Sequence, residues 1–290
     1  MNTAIKLHSQ TYPDNLLAIS SEPENVEIPV LILPGLFGST ANWRGFAKQL
    51  SEYCPVIVLD QRNHGHSPHA DSHNYFDMAG DLLKFLDDND IQKIKLCGHS
   101  MGGKTAMVFS LLHPERVEQL AVLDIAPVSY THTHAPYLEA LIDIDLDKIS
   151  SRSEAEKQLK PLIPETSIRL FLLQSLAGSA GSFEWRLNLA ILLRDMPYIL
   201  GFPIDELVEN VKLDNAFGNN APVSSSVDAI FVNGSLSDYV DQTHSSVILD
   251  RFPRASFETV EGAAHWLHAE KPQDVLTVLL NFYDLRIKND

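Results

Sequence analysis

The stretch KLCGHSMGGKTA, residues 95–106, decides the fold. It follows G-x-S-x-G and surrounds one serine, Ser100, with Gly98, Gly102 and Gly103. The preceding run KIKLC has the apolar character of a buried strand, and MGGKTAMVFSLL has the pattern of a helix. A serine on such a tight strand-to-helix turn projects its hydroxyl above the sheet edge, where glycines avoid collisions across the turn. The pattern predicts a nucleophilic serine, although glycines that merely end a strand are the simpler alternative.

Around this stretch, short runs rich in Val, Ile and Leu alternate with longer helix-like segments. This rhythm predicts an α/β protein, with a mostly parallel sheet flanked by helices. The predicted strands are Ile28–Leu33, Pro55–Leu59, Ile94–Cys97, Leu120–Leu123, Ala229–Val232 and Phe257–Val260. The predicted helices are Asn42–Tyr53, Tyr75–Asn89, Met101–His113, Gln242–Phe252 and Pro272–Phe282.

The alternation stops once, over residues 131–220. Amphipathic patterns such as SEAEKQLKPLI and WRLNLAILLRDM fill this segment, and no strand is predicted in it. We therefore predict an α/β core domain from residues 1–130 and 221–290, interrupted by a helical cap, or lid, over residues 131–220.

Composition restricts the class of protein and its compartment. The chain has 290 residues, 44% hydrophobic, and a formal net charge of -16, which disfavours nucleic acid and anionic membrane surfaces as partners. Two cysteines, Cys54 and Cys97, cannot form a disulfide framework and indicate a reducing compartment. The amino terminus has no signal-peptide pattern, and no apolar run reaches the ~18 residues of a membrane span. We expect a soluble, cytoplasmic protein.

A serine nucleophile needs a histidine base, and the chain has 12 histidines. His265, in VEGAAHWLHAEKP, follows the last predicted strand on a Gly-Ala-Ala loop that can reach the sheet edge. His268 lies three residues deeper, toward the last helix. We therefore predict His265 as the base.

Two carboxylates could orient that histidine, and both satisfy the chain order serine, acid, histidine. Asp124 ends the strand LAVLD, whereas Asp238 follows the next strand, the commoner place for this residue. In the common pattern the acid follows a glycine by three positions, and from Gly234 that offset lands on Ser237 instead of Asp238. The spacing favours Asp124 and leaves Asp238 as the alternative.

Acyl transfer also requires N–H donors for the developing oxyanion. The run LILPGLFGST turns sharply after a buried strand, so the Leu36 N–H can pair with the N–H of Met101, which follows the nucleophile. Phe37 is close enough to compete with Leu36 for this role. A Pro-Gly turn without a catalytic role would be the alternative if Ser100 were absent.

Two further groups of residues have a weaker relation to function. His64, His66, His69 and His73 cluster in NHGHSPHADSH, but their spacing is irregular for a metal site, and we predict neither a metal nor a cofactor. In the predicted cap, Phe171, Leu172 and Trp185 could line a substrate pocket. Apolar residues at helical spacing usually face their own domain, so cap core is the alternative.

Taken together, LPGLFGS, LDQRNHGHSP, GHSMGG and GAAHWLHAEKP resemble the α/β-hydrolase superfamily over nearly the whole chain. More narrowly, RNHGHSP, DIAPV, WRLNL and HWLHAEKP resemble the YbfF-type bacterial esterases, which are relatives of the abhydrolase-domain-containing proteins. The resemblance implies a helix-capped esterase that acts on small acyl esters or acyl thioesters without a cofactor. It also implies Asp124 as the acid and Ser237 as an auxiliary hydrogen-bonding residue.

The sequence thus predicts a serine hydrolase, a carboxylesterase that cleaves small, uncharged acyl esters through an acyl-enzyme. The same machinery supports acyl-CoA thioester, lactone or carbon-carbon hydrolysis and perhydrolysis, and the fold does not separate these reactions. A non-catalytic binder of small molecules is an alternative from another class. The expected partner is a small-molecule ester or thioester.

Overall fold

The computed structural model describes residues 4–14, 27–214 and 223–286, and within them seven strands form one sheet in the order β1-β3-β2-β4-β5-β8-β9. The strands are β1 His8–Tyr12, β2 Val30–Leu33, β3 Val56–Asp60, β4 Ile94–His99, β5 Val117–Leu123, β8 Asp228–Gly234 and β9 Ala255–Val260. A separate pair consists of β6 Leu176–Ala177 and β7 Glu184–Trp185. Only β1 runs antiparallel to its neighbour in the large sheet.

The helices lie largely where the sequence predicts them. The described α-helices are α1 Thr40–Leu50, α2 Tyr75–Asp88, α3 Met101–Leu112, α4 Ala135–Ile142, α5 Arg152–Leu159, α6 Thr166–Leu172, α7 Leu189–Arg194, α8 Met196–Leu200, α9 Ile204–Asp214, α10 Ser245–Arg251, α11 Leu267–Glu270 and α12 Pro272–Phe282. The predicted helix Gln242–Phe252 is a 3-10 turn, Gln242–His244, followed by α10. None of the helices described is long and apolar enough to cross a membrane.

Helices on both faces bury the central strands completely. Within β2, Leu31 and Leu33 pack into one apolar cluster, and Val30 and Ile32 pack into the cluster on the opposite face. Successive side chains of a strand point to opposite faces, so a strand covered on both sides is apolar at every position. This is why the central strands are continuous apolar runs, and the α/β fold predicted from them is confirmed.

Two sequence predictions about strands are wrong. The edge strand β1 is missing from the prediction, because HSQTY is mostly polar and only partly buried. The pair β6–β7 lies in residues 131–220, where no strand was expected. Its strands have two residues each, too short for a periodic pattern, and Gly178 and Gly181 in the connection have positive φ of 88° and 78°.

The other described residues between β5 and β8 form helices α4 to α9, two 3-10 turns and short connections. We call residues 131–220 the inserted segment. Its predicted boundary with the second part of the core lies outside the described residues, since 215–222 are not among them.

The parallel pairing of β2, β4, β5 and β8 determines where the predicted site lies. Parallel strands end at the same edge of a sheet. The residues that follow these strands, including Leu36, Ser100, Asp124 and Ser237, therefore meet at one carboxyl edge.

Candidate active site

Ser100 occupies the sharp turn between β4 and α3. Its φ of 54° and ψ of -121° are unusual for a residue other than glycine, and its N–H donates to Leu123 O at 3.0 Å. A Cβ on Gly98 would lie 2.3 Å from Gly102 O, and one on Gly102 would lie 2.2 Å from Leu33 O. The two glycines are therefore required by close backbone approach, and they allow the strained turn that directs the serine hydroxyl toward His265.

A chain of hydrogen bonds joins three residues that are far apart in sequence. Ser100 Oγ lies 3.0 Å from His265 Nε2, and His265 Nδ1 lies 2.7 Å from Asp124 Oδ2. The Asp124 carboxylate is fully buried, whereas 17% of the His265 side chain is exposed. This arrangement gives a hydroxyl a proton acceptor that a buried negative charge orients.

Backbone and side-chain hydrogen bonds hold Asp124 and its carboxylate in place. Like Ser100, it has a positive φ, 54°, and its N–H donates to Val232 O at 2.8 Å. Gly234 N–H donates to Oδ1 at 3.1 Å, and the Ser237 hydroxyl donates to Oδ2. These donors fix the orientation of the carboxylate. The alternative acid, Asp238, is exposed to solvent.

His265 is fixed on two further sides. His99 Nε2 donates to the backbone carbonyl of His265 at 2.8 Å, and burial lowers the pKa of His99 well below its ordinary value, so His99 is neutral. The Tyr239 ring stacks on the imidazole with a centroid distance of 3.8 Å and an angle of 14°. The sequence prediction did not include Tyr239, because its position in a loop carries no periodic signal.

The amide groups near Ser100 differ in their partners. Leu36, Ser100 and Met101 line one cavity. Met101 is the first residue of α3, so its N–H has no intrahelical acceptor. Within the described residues, no hydrogen-bond acceptor takes the N–H of Leu36 or of Met101. In contrast, Phe37 N–H donates to His64 Nε2 at 3.2 Å.

His64 acts as a buried acceptor for the loop that carries these amides. Its Nδ1 lies 3.0 Å from Arg62 O, an acceptor only, so Nδ1 carries the proton and Nε2 accepts from Phe37. Burial lowers the pKa of His64 to about 4, which keeps the ring neutral at pH 7. Phe37 itself has a positive φ of 67°. The sequence motif RNHGHSP thus includes a residue that braces the Leu36–Phe37 turn.

The cavity at Ser100 is small, about 20 Å³, which is room for roughly one water molecule. Its lining includes Tyr75, Lys104, Ile199 and Leu200. Lys104 is 1% exposed, and burial lowers its pKa to about 7. The sequence prediction missed Lys104, since a lysine four residues after a nucleophile reads as an ordinary helix-surface residue.

The structure does not bring Phe171, Leu172 and Trp185 into the lining of this cavity. Leu172 is fully buried in the apolar core, and Phe171 contacts Trp266 with a ring-centroid distance of 5.7 Å. Phe171 and Trp185 are partly buried against the same apolar cluster.

Aromatic and imidazole rings form the polar side of the cavity instead. Tyr239 Oη lies 2.9 Å from His132 Nε2 and 3.3 Å from His134 Nε2, and the Tyr130 hydroxyl donates to Tyr239 O at 2.8 Å. Burial lowers the pKa of His134 to about 4. In the sequence, THTHAP marks only the boundary of the inserted segment, so these rings were not predicted.

The cluster of histidines after β3 divides between the core and the surface. His64 and His73 are buried, while His66 and His69 are exposed. Within the described residues, His8, Asp60 and His66 have potential ligand atoms within 4.8 Å of one another. Hydrogen bonds within the protein already account for this group, because Asp60 Oδ2 accepts from His66 N–H at 2.8 Å and lies 3.0 Å from His8 Nδ1.

Comparison with known proteins shows to which family this chain belongs. The family model described as alpha/beta hydrolase fold matches residues 28–272. A protein of Danio rerio named sn-1-specific diacylglycerol lipase ABHD11 is 35% identical over 279 residues, which are 93% of this chain and 83% of the relative. Esterase YbfF of Escherichia coli is 32% identical over 269 residues, 92% of this chain and 98% of the relative.

A solved structure described as a marine microorganism esterase superposes with a TM-score of 0.81 at 34% identity, covering 96% of this chain and 99% of the other. The sheet order, the serine turn and these similarities agree with one another. The chain therefore belongs to the α/β-hydrolase family and, within it, to the esterases of the YbfF type.

Proposed function

We propose that this esterase cleaves small, uncharged acyl esters through a covalent acyl-enzyme on Ser100, with His265 and Asp124 completing a catalytic triad. The observation that carries the proposal is the hydrogen-bond chain from Ser100 Oγ to His265 Nε2 at 3.0 Å and from His265 Nδ1 to Asp124 at 2.7 Å. A serine hydroxyl is a weak nucleophile at neutral pH, and such a chain supplies the base that activates it.

In the first half of the reaction His265 removes the proton from Ser100 as Oγ attacks the acyl carbonyl. His265 then gives that proton to the departing alkoxide, so the alcohol leaves and the acyl group stays on Ser100. In the second half a water molecule gives a proton to His265, attacks the acyl-enzyme and releases the acid. The buried Asp124 stabilises the imidazolium at each step, and the Ser237 hydroxyl keeps that carboxylate in place as an auxiliary residue.

The oxyanion formed in each half needs donors that are free before substrate arrives. We assign them to the N–H groups of Leu36 and Met101, which line the same cavity as Ser100. Phe37 is the weaker candidate, because its N–H is engaged by His64. Removal of one such donor costs roughly a hundredfold or more in kcat in serine hydrolases.

The inserted segment acts as a cap over the core formed by residues 1–130 and 221–290. Its residues Ile199 and Leu200 close one side of the cavity at Ser100. A space of about 20 Å³ favours an acyl group as small as acetyl in this closed arrangement. The two free cysteines, Cys54 and Cys97, are both buried and fit a cytoplasmic location, which we also propose.

Labelling with a fluorophosphonate tests the nucleophile. We expect stoichiometric labelling of the native protein and none in Ser100→Ala, together with a loss of ester hydrolysis of at least about a thousandfold. A native chain that stays unlabelled would favour the non-catalytic binder.

The substrate is tested by p-nitrophenyl esters of increasing chain length beside an acyl-CoA series. We expect the highest kcat/KM for acetate or propionate. A preference for CoA thioesters would replace the ester assignment by a thioesterase.

A further inference from the structure

The end of α8 closes one side of the cavity at Ser100, and we call this helix end the wall. The last carbonyls of a helix have no intrahelical donor. Core residues supply donors instead: Tyr75 Oη donates to Ile199 O at 2.5 Å, and Lys104 Nζ donates to Leu200 O and Gly201 O, each at 2.7 Å. One phenol and one amine thus bind the carboxyl end of this helix to the core, together with the backbone N–H of Tyr130, which donates to Leu200 O at 3.0 Å.

A second, larger space lies on the other side of this wall. It is a groove of about 510 Å³ between the start of α2 and the chain from Pro197 to Glu206. Tyr75 lines both the groove and the cavity at Ser100. Leu200 faces the cavity and the next residue, Gly201, faces the groove. The two spaces are therefore separated by the thickness of one helix end.

The groove has the chemistry of a site for an uncharged chain. Phe76, Tyr198, Phe202 and Ile204 contribute apolar surface, and its described lining contains neither Lys nor Arg. Its volume is within the range of about 300–1,000 Å³ that ligand pockets occupy. Asp205 and Glu206 also line the groove and are exposed, and their two carboxylates disfavour a chain that ends in a negative charge.

We infer that this groove binds the distal part of a longer, uncharged acyl chain, and that Tyr75 and Lys104 restrict acyl length by holding the wall closed. The inference rests on the proposed function, because it takes Ser100 as the residue that carries the acyl group. Tyr75 and Lys104 are positioning residues, since they act through the position of the α8 end.

Lys104 is suited to hold the wall closed. It follows Ser100 by four residues on α3 and therefore projects from the same helix face. A buried amine is stable only when its donors find acceptors, and here two carbonyls and the Tyr130 ring, 4.8 Å from Nζ, surround it. An outward movement of the wall would break both bonds from Lys104 to its carbonyls together, so these bonds favour the closed wall.

The test opens the wall and measures selectivity. In a Tyr75→Phe, Lys104→Met double variant the side chains keep their bulk but lose the three bonds to α8. We expect the ratio of kcat/KM for p-nitrophenyl octanoate to that for acetate to rise at least tenfold. An unchanged ratio in a folded double variant would overturn the inference.

A matched pair of residues supplies the control. Tyr283 Oη donates to Leu96 O at 2.9 Å, and Lys95 Nζ donates to Tyr283 O at 2.9 Å, at the other end of the sheet. The Tyr283→Phe, Lys95→Met double variant loses the same kinds of bonds away from the cavity. Its octanoate-to-acetate ratio should equal that of the native protein, so a rise there as well would mean general loosening and would overturn the inference.

Filling the groove tests the path of the chain. Ile204→Trp in the opened variant should cancel the gain for octanoate, and a gain that persists would place the chain elsewhere. If the opened variant does not fold, Ile204→Trp alone still decides, because any octanoate that the native enzyme cleaves must displace the wall and enter the groove. The substitution should therefore lower the octanoate-to-acetate ratio at least threefold, and an unchanged ratio would overturn the inference. Fluorophosphonate labelling separates the two proposals: a labelled protein with an unaltered ratio contradicts only the groove, whereas a native chain without labelling contradicts the serine mechanism.

Discussion

The two halves of the reaction site are built in different ways. Ser100, Asp124 and His265 follow strands of the sheet; Ser100 and Asp124 have positive φ values, and close backbone contacts at Gly98 and Gly102 surround Ser100. The opposite half belongs to the inserted segment, where Ile199 and Leu200 are held by side chains that reach across from the core. We propose that the half fixed by backbone packing carries the chemistry, and that the half fixed by side-chain hydrogen bonds controls which substrates reach it.

The largest expected effect breaks the sheet-built half. Asp124→Asn keeps the size of the side chain but supports the wrong tautomer of His265, so kcat/KM for p-nitrophenyl acetate should fall by about four orders of magnitude. Asp238→Asn removes a neighbouring exposed carboxylate and should change kcat/KM less than threefold. Circular dichroism confirms that both variants are folded. A large loss in Asp238→Asn with a small loss in Asp124→Asn would exchange the two assignments.

The next effect concerns stability of the serine turn. A Cβ on Gly102 would lie 2.2 Å from Leu33 O and 2.5 Å from Pro34 O, so Gly102→Ala should reduce the free energy of unfolding by about 3 kcal/mol. Gly45 lies within α1 with nothing within 4 Å of an added Cβ, and Gly45→Ala should raise that free energy by about 0.5–1 kcal/mol. Urea unfolding measures both. Equal effects of the two substitutions would show that the turn is not closely packed.

The same difference explains what the sequence could predict. The residues of the sheet-built half follow apolar runs, and parallel strands bring their ends together, so Ser100 and His265 could be placed from pattern alone. The short strands β6 and β7 and the edge strand β1 leave no such pattern. Lys104 and Tyr239 act through contacts between segments distant in sequence, and no local spacing encodes those contacts.

Buried histidines in the core should make the free energy of unfolding depend on pH. His268 stacks on Trp43 at 3.9 Å, and burial lowers its pKa to about 3. The unfolded chain binds this proton near pH 6.5 and the folded chain does not, so stability is complete above pH 6.5 and falls as pH decreases toward 3.

At pH 5 the protonation of His268 in the unfolded chain should lower the free energy of unfolding by about 2 kcal/mol relative to pH 7. His268→Phe keeps a ring against Trp43 and should remove that part of the pH dependence. His69 is exposed, so His69→Gln should leave the pH dependence as it is. Urea unfolding at pH 7 and pH 5 tests the expectation, which fails if the native protein and His268→Phe lose the same stability.

The smallest expected effect concerns the loop between β2 and α1, where Phe37 N–H donates to His64. His64→Phe leaves that buried N–H without an acceptor, whereas His64→Gln offers a carbonyl oxygen in its place. Because the neighbouring Leu36 N–H is the proposed oxyanion donor, we expect His64→Phe to lower kcat about tenfold with little change in KM, and His64→Gln to restore most of it. A rise in KM at constant kcat would instead mean that the loop contributes to substrate binding and does not position the oxyanion donor.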